Sequence, residues 1–252
     1  MGYVVMNEAM CCICGWQGSS FAPRFRTGGR LCVCPSCRSL DRNRHLFKVI
    51  EQYDLLHEET CVLEIAPSIS ILRSLSSRTN YVGVDYSPSS DLVLSADLRE
   101  LPFPDASFDM VLCSHVLEHV RDSQKCIAEI SRVLKRNGRA LIQVPYKRGA
   151  TTEQLEHPDE HGHVWNYDRD DFVLRLAGEG LVVDAVNLQS TVAVAGQVVF
   201  DHLDVFVCSN PQAGNGSPSF TQYIKSINRL VYRRDDDVSK ATNDISHAPL
   251  AT

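Results

Sequence analysis

The sequence predicts an α/β fold, a mostly parallel sheet with helices on both faces, carrying a small N-terminal zinc-binding module. Three observations lead there. From residue 60 onward, short apolar runs alternate with helix-period segments, the pattern of a parallel sheet with helical crossovers. Six of the ten cysteines fall within the first 37 residues, four of them as two Cys-x-x-Cys pairs. Apolar residues make up 44% and charged residues 22% of 252, which fits a globular core and excludes collagen-like, coiled-coil and wholly disordered chains.

The first segment, residues 1–38, is the zinc-binding module. Cys11-x-x-Cys14 and Cys34-x-x-Cys37 are separated by 19 residues, and each pair turns tightly enough to aim two thiolates at one ion. Gly15, Gly18, Gly28 and Gly29 suit the turns between them. Four sulfurs close the coordination sphere, so the expected metal is structural Zn²⁺, with an iron–sulfur cluster as the alternative. Cys12 and Cys32 stand two residues from ligands and compete for the same role. Cys61, Cys113, Cys126 and Cys208 sit in apolar segments and read as small buried hydrophobes. With no export signal in view, clustered thiols favour metal over disulfides.

Residues 39–56 read as a connector helix. Ser39 stands at the capping position, Leu46, Phe47, Ile50 and Tyr53 share a stripe, and Arg38, Arg42, Arg44 and His45 decorate the first turns of a solvated face. Residues 1–50 hold seven bases against two acids, and the other 202 residues carry −11. An acidic body is a poor general binder of phosphate backbones.

Residues 57–210 form the body. Cys61–Ile65, Tyr81–Asp85, Leu92–Leu94, Phe108–Cys113, Ala140–Val144, Leu181–Val186 and Val205–Cys208 read as strands. Helices are expected around Ile71–Leu75, over Ser123–Lys135 with Asn137-Gly138 as its stop, and from Asp168-x-x-Asp171 to Gly178. Ligands in such sheets lie beyond the carboxyl ends of the strands. Residues 211–252 read as a linker, an amphipathic segment (Phe220 to Val231) and a polar disordered tail. No apolar run reaches ~18 residues, so no membrane span is expected. The start, with Met6 where Ser or Thr would stand, reads as neither signal peptide nor myristoylation site, and a cytoplasmic protein is expected.

Past these elements the body, from Val62 to Cys208, resembles the class I S-adenosylmethionine-dependent methyltransferases, and specifically those of type 11. Val62-Leu-Glu-Ile65 resembles that family's first strand, Gly83-Val-Asp85 its second, and Asp97-Leu98 before the string Leu-Pro-Phe-Pro-Asp-Ala-Ser-Phe-Asp (101–109) its adenine-side segment. Ser114-His-Val-Leu-Glu-His119 matches the end of its fourth strand. Cys34-Pro-Ser-Cys-Arg-Ser-Leu-Asp-Arg and the Ile-Ala-Pro turn resemble bacterial methyltransferases with an N-terminal zinc module. The resemblance implies a Rossmann-like, seven-stranded sheet and S-adenosylmethionine as cofactor. It assigns Glu64, Ala66, Pro67, Ser68, Asp85, Tyr86, Asp97, Leu98 and Ser114 to the cofactor, with the Asp85 carboxylate on the ribose hydroxyls. Two departures stand out. The family's glycine-rich turn is here Ala66-Pro67-Ser68-Ile-Ser70, without a glycine. Only twelve positions separate Asp85 from Asp97, too few for a full helix and strand, so the second helix is expected to be lost or reduced.

Candidate bases are His115, just past the fourth strand, and His163, in the His157–Trp165 loop after the fifth; His119 follows His115 by one turn. His115, Glu118, His119, His161 and His163 also form an alternative metal-donor set. Tyr146 and Trp165 are candidate acceptor-stacking aromatics or core. The expected activity is methyl transfer to a small molecule, on oxygen of a sugar or secondary metabolite. Two rivals remain: RNA methylation with the basic module gripping nucleic acid, which the charge distribution disfavours, and a non-catalytic binding protein on the same fold. The oligomeric state is left open.

Overall fold

A computed structural model describes residues 9–24, 30–186 and 204–214. The segment Phe220 to Val231 and the tail lie outside the described residues. The main sheet has seven strands: β1 (Cys61–Ile65), β2 (Asn80–Asp85), β3 (Leu94–Ser95), β4 (Phe108–Ser114), β5 (Leu134–Gln143), β6 (Val182–Val186) and β7 (Val205–Ser209). Their spatial order is β6-β7-β5-β4-β1-β2-β3. Strands β1 to β5 are parallel, while β7 runs antiparallel to both β5 and β6.

The central strands are continuous apolar runs because both faces are covered. Their alternation sorts the side chains into two cores. Leu63, Val82, Val111, Cys113, Ile142 and Phe206 pack on one face with α3 (Ser123–Val133) and α4 (Arg169–Gly178). Val62, Tyr81, Met110, Leu112, Leu141 and Val207 pack on the other with α1 (Asp41–Gln52) and α2 (Ile69–Leu75). The period of two in each strand sets this division. No helix separates β2 from β3, as the short Asp85–Asp97 spacing predicts. Among the described residues no helix is long and apolar enough to cross a membrane.

Several boundaries differ from expectation. Ser39 does not cap α1: Leu40 holds that position, and its N–H donates to Asn43 Oδ1 at 2.9 Å. Ser39 is buried, its Oγ 3.4 Å from Cys11 Sγ and 3.2 Å from Cys37 Sγ. Helix α1 is no solvated connector either, since Leu46, Phe47, Val49 and Ile50 are buried against the sheet. Arg44, expected outside, turns inward. Its guanidinium donates to the carbonyls of Ser39 (2.8 Å) and Cys32 (3.0 Å) and stacks 3.8 Å over the Phe21 ring. Helix α3 ends at Val133, and Asn137-Gly138 lies within β5. There a Cβ on Gly138 would meet the Asp109 carbonyl at 3.0 Å. Helix α4 starts as expected, Asp168 Oδ1 accepting from the N–H groups of Asp170 and Asp171. It runs through Gly178 and is followed by Gly180 at φ +76°, the left-handed residue that ends many helices.

The N-terminal module is built from two copies of one turn. Cys11 O accepts from Gly15 N and Cys34 O from Arg38 N, and both fifth residues adopt positive φ, +73° and +63°. Ala9, Cys11, Ile13, Phe21, Cys34 and Cys37 share one apolar cluster with α1 and the sheet. The module is thus seated on the body's core.

Candidate cofactor, acceptor and metal sites

The parallel strands β1, β2 and β4 end side by side, Ile65 opposite Val84 and Cys113. The residues that follow them form one rim. After β1 the turn runs through Ala66, Pro67 and Ser68, held by Ala66 N–H to Val84 O (2.8 Å) and Ser68 N–H to Glu64 Oε1 (3.0 Å). Ala66 adopts φ +49°, so the turn keeps the left-handed backbone that glycine ordinarily provides, at the cost of a strained alanine. Gly83 of β2 lets Pro67 lie close: a Cβ there would stand 2.7 Å from Pro67 Cγ.

Glu64 organises this turn from inside. It is buried, and the Tyr81 hydroxyl donates to its second oxygen. Burial pushes its pKa up to about 7, although the Tyr81 and Ser68 hydrogen bonds favour the charged form. A raised folded-state pKa means stability is fully present below the unfolded value and is lost as pH rises through 7. Glu64→Gln keeps an acceptor for Ser68 but cannot ionise. The wild type should therefore lose on the order of 3 kcal/mol relative to the variant between about pH 4.5 and 7. Denaturant melts across that range check it; parallel curves would contradict it.

Asp85 ends β2, its Oδ1 accepting from Ser87 N–H (2.8 Å), and Tyr86 beside it is exposed. Ala96 N–H bonds to Asp85 O, bringing Asp97 and Leu98 to the same rim. Leu98 is buried, whereas Asp97 is held by Arg99, with contacts of 2.6–3.1 Å that keep its carboxyl below the usual range. The Leu101–Asp105 loop is pinned by Arg132, which donates to the Leu101 and Phe103 carbonyls and to Asp105 and Glu129. Ser114 at the end of β4 donates to Gln143 Oε1 on β5 (2.8 Å).

Beyond β4 the chain turns sharply at His115, φ +57°, into a 3₁₀ turn over Leu117–His119. The loop after β5 is clamped onto that turn. Val164 N–H bonds to Glu118 O (2.8 Å), His119 Nδ1 to Gly162 O (3.0 Å), Tyr167 OH to Leu117 O (3.2 Å) and Trp165 Nε1 to Val120 O (3.0 Å). His163 therefore meets His119, ring centroids 5.0 Å apart, while Glu118 joins His115 at 3.1 Å. Trp165 stacks on Tyr167, and Tyr146 is buried near Phe206. Asp159 is a residue of this site that no sequence pattern singles out: its carboxylate accepts from His161 and His163 N–H and lies 3.2 Å from His163 Nδ1. Its spacing of four before His163 was the available signal, but in an irregular loop spacing implies no shared face.

In the module, ligand atoms of Cys11, Cys14, Cys34 and Cys37 all lie within 4.8 Å of one another. Cys11–Cys37 and Cys14–Cys34 are each 3.7 Å between sulfurs. A tetrahedron with Zn–S bonds of about 2.3 Å has edges of about 3.8 Å, so the donor set fits Zn²⁺. Cys12 stands aside, its Sγ 3.4 Å from Arg44 O and its thiol pushed up to about 11 by burial.

The sheet order and the rim together define the Rossmann-like methyltransferase fold. A Burkholderia thailandensis 1,6-didemethyltoxoflavin-N1-methyltransferase, solved with S-adenosylhomocysteine, superimposes with a TM-score of 0.52 at 16% identity, covering 68% of this chain and 78% of that one. In sequence, residues 68–142 match the family model described as a methyltransferase domain. A probable S-adenosylmethionine-dependent methyltransferase of Mycobacterium tuberculosis is 32% identical over 90 residues, 36% of this chain and 32% of its own. The malonyl-[acyl-carrier protein] O-methyltransferase of Halorhodospira halophila is 26% identical over 160 residues, 60% of this chain and 54% of its own. The chain thus spans about half or less of these curated relatives. The domain match and the relatives support an enzyme of the S-adenosylmethionine-dependent methyltransferase class.

Proposed function

We propose that the protein transfers a methyl group from S-adenosylmethionine to an oxygen of a small hydroxylated molecule. The observation that carries this reading is the convergence of the Ala66–Ser68 turn, Asp85, Leu98 and Ser114 on one rim, with two histidine–carboxylate pairs beyond β4 and β5. The positive φ of Ala66 supports a working cofactor turn, against a purely non-catalytic protein. Arg44 being spent on internal carbonyls weakens the nucleic-acid reading.

S-adenosylmethionine would supply an electrophilic methyl group on a sulfonium. In this reading Asp85 accepts from the ribose hydroxyls. Tyr86, Asp97 and Leu98 border the adenine, and Ala66, Pro67, Ser68 and Ser114 line the path between. Glu64 acts from beneath by holding the turn. His115 and His163 are the candidate bases. Each has Nδ1 beside a carboxylate, Glu118 and Asp159, so Nδ1 carries the proton and Nε2 keeps the lone pair. One of them would take the hydroxyl proton as the new C–O bond forms. The Cys11, Cys14, Cys34 and Cys37 sulfurs would hold a structural Zn²⁺ that buttresses α1 and the sheet.

The test is incubation with methyl-labelled S-adenosylmethionine and a panel of hydroxylated metabolites, read by mass spectrometry. Label in an alkali-stable ether supports the reading. Label on nitrogen or carbon, or on RNA supplied in parallel, overturns the choice of acceptor.

A further inference from the structure

We propose that Glu118, His119 and His163 form a second metal site, distinct from the four-cysteine cluster, for a divalent first-row cation such as Zn²⁺, Co²⁺ or Mn²⁺. One ligand atom from each residue lies within 4.8 Å of the others. The ring nitrogens are already sorted. His119 Nδ1 donates to Gly162 O at 3.0 Å, and His163 Nδ1 lies 3.2 Å from Asp159 Oδ2. Both rings thus keep a lone pair on Nε2, the tautomer that metal-bound histidines hold through an oxygen partner on the other nitrogen.

Glu118 supplies the independent observation. Its side chain is 0% exposed, and its Oε2 has no hydrogen-bond partner. Oε1 meets His115 Nδ1 at 3.1 Å and lies 4.0 Å from His119 Nε2. A buried carboxylate with a bare oxygen is costly, and a cation bound through Oε1, the oxygen nearest His119, would neutralise the charge that the two oxygens share. The backbone also spends strain here, His115 taking φ +57° at the head of the turn that buries Glu118. Drawing the three donors to about 2.1 Å from one ion requires them to close on one another, and the His119 ring, 41% exposed, has room on its solvent side.

Two imidazoles and one carboxylate leave coordination positions open. A cation there would hold the acceptor oxygen and lower its pKa, so that His163 serves as ligand and His115 is left to take the proton. That use rests on the methyltransferase reading; the binding does not.

The experiment starts from full-length protein carrying one zinc per chain and adds Co²⁺ without S-adenosylmethionine. The expected result is one further equivalent, with weak visible bands and no sulfur-to-cobalt charge-transfer absorption. His119→Ala and His163→Ala should each weaken it by about 100-fold or more. Asp159→Asn, which acts through His163, should weaken it about 10- to 100-fold. Zinc content and circular dichroism establish that each variant is folded, and the exposure of His119 makes His119→Ala the safest. Absence of a second equivalent overturns the proposal, as does cobalt binding unchanged in both histidine variants. Cobalt binding in a protein that transfers no methyl group would leave this site standing and remove the functional reading alone.

Discussion

Replacing Cys37 with serine is expected to release zinc and to unfold far more than residues 1–38. Structural zinc binding supplies about 10–16 kcal/mol in small zinc modules, comparable with or above the net stability of a whole domain, about 5–15 kcal/mol. Zinc held by the four sulfurs would pass that energy into the body. Cys11, Cys34 and Cys37 pack in the same apolar cluster as Phe47, Ile50, Val62 and Leu112. Ser39, beside two of the sulfurs, presents its carbonyl to Arg44, which also grips Cys32 O. Loss of the ion should therefore loosen α1 and expose one face of the sheet. Elemental analysis with thermal melts checks this. A zinc-free variant melting like the wild type would show that the module adds nothing to the core.

The second large effect is expected at His115. Its alanine variant should lower turnover roughly 10²–10⁴-fold while leaving S-adenosylmethionine affinity nearly unchanged. Most of the proposed cofactor-side groups come from β1, β2 and the segment after β3, with Ser114 alone from the end of β4, whereas the His115 side chain turns to Glu118. Wild-type turnover in His115→Ala would mean that positioning alone, or the proposed cation, carries the step. A parallel loss of cofactor affinity would mean that the residue shapes the rim and takes no proton.

What could be read from the chain follows the physics of each element. The β1 run Cys61–Ile65 and the Asp168 cap are local signals, and local signals survive into the fold. The lost helix after β2 was legible because chain length is a hard limit. Arg44 was not, since helical periodicity puts it on a polar face, while its partners Ser39 O and Cys32 O come from a turn and a strand. Glu118 stands in the sequence only as one of five candidate donors; its burial belongs to the fold, where the loop after β5 bonds to the Leu117–His119 turn through Val164 N–H and Glu118 O. Ala66 reads as a loss of the glycine turn, yet contacts to Val84 and Glu64 impose the same backbone. The turn from Glu64 to Ser68 and the four sulfurs were visible as motifs. The company kept by His163 depended on a loop whose path no periodicity encodes.

Calorimetric titration of S-adenosylmethionine into the wild-type protein and Asp85→Ala tests the central claim most directly. The account predicts one site per chain in the wild type. It predicts a loss of about 1.5–3 kcal/mol in the variant, roughly 10- to 100-fold in affinity, because a charged acceptor is removed from the ribose hydroxyls. No heat of binding in folded, zinc-loaded wild-type protein, or equal affinity in the two proteins, would contradict it.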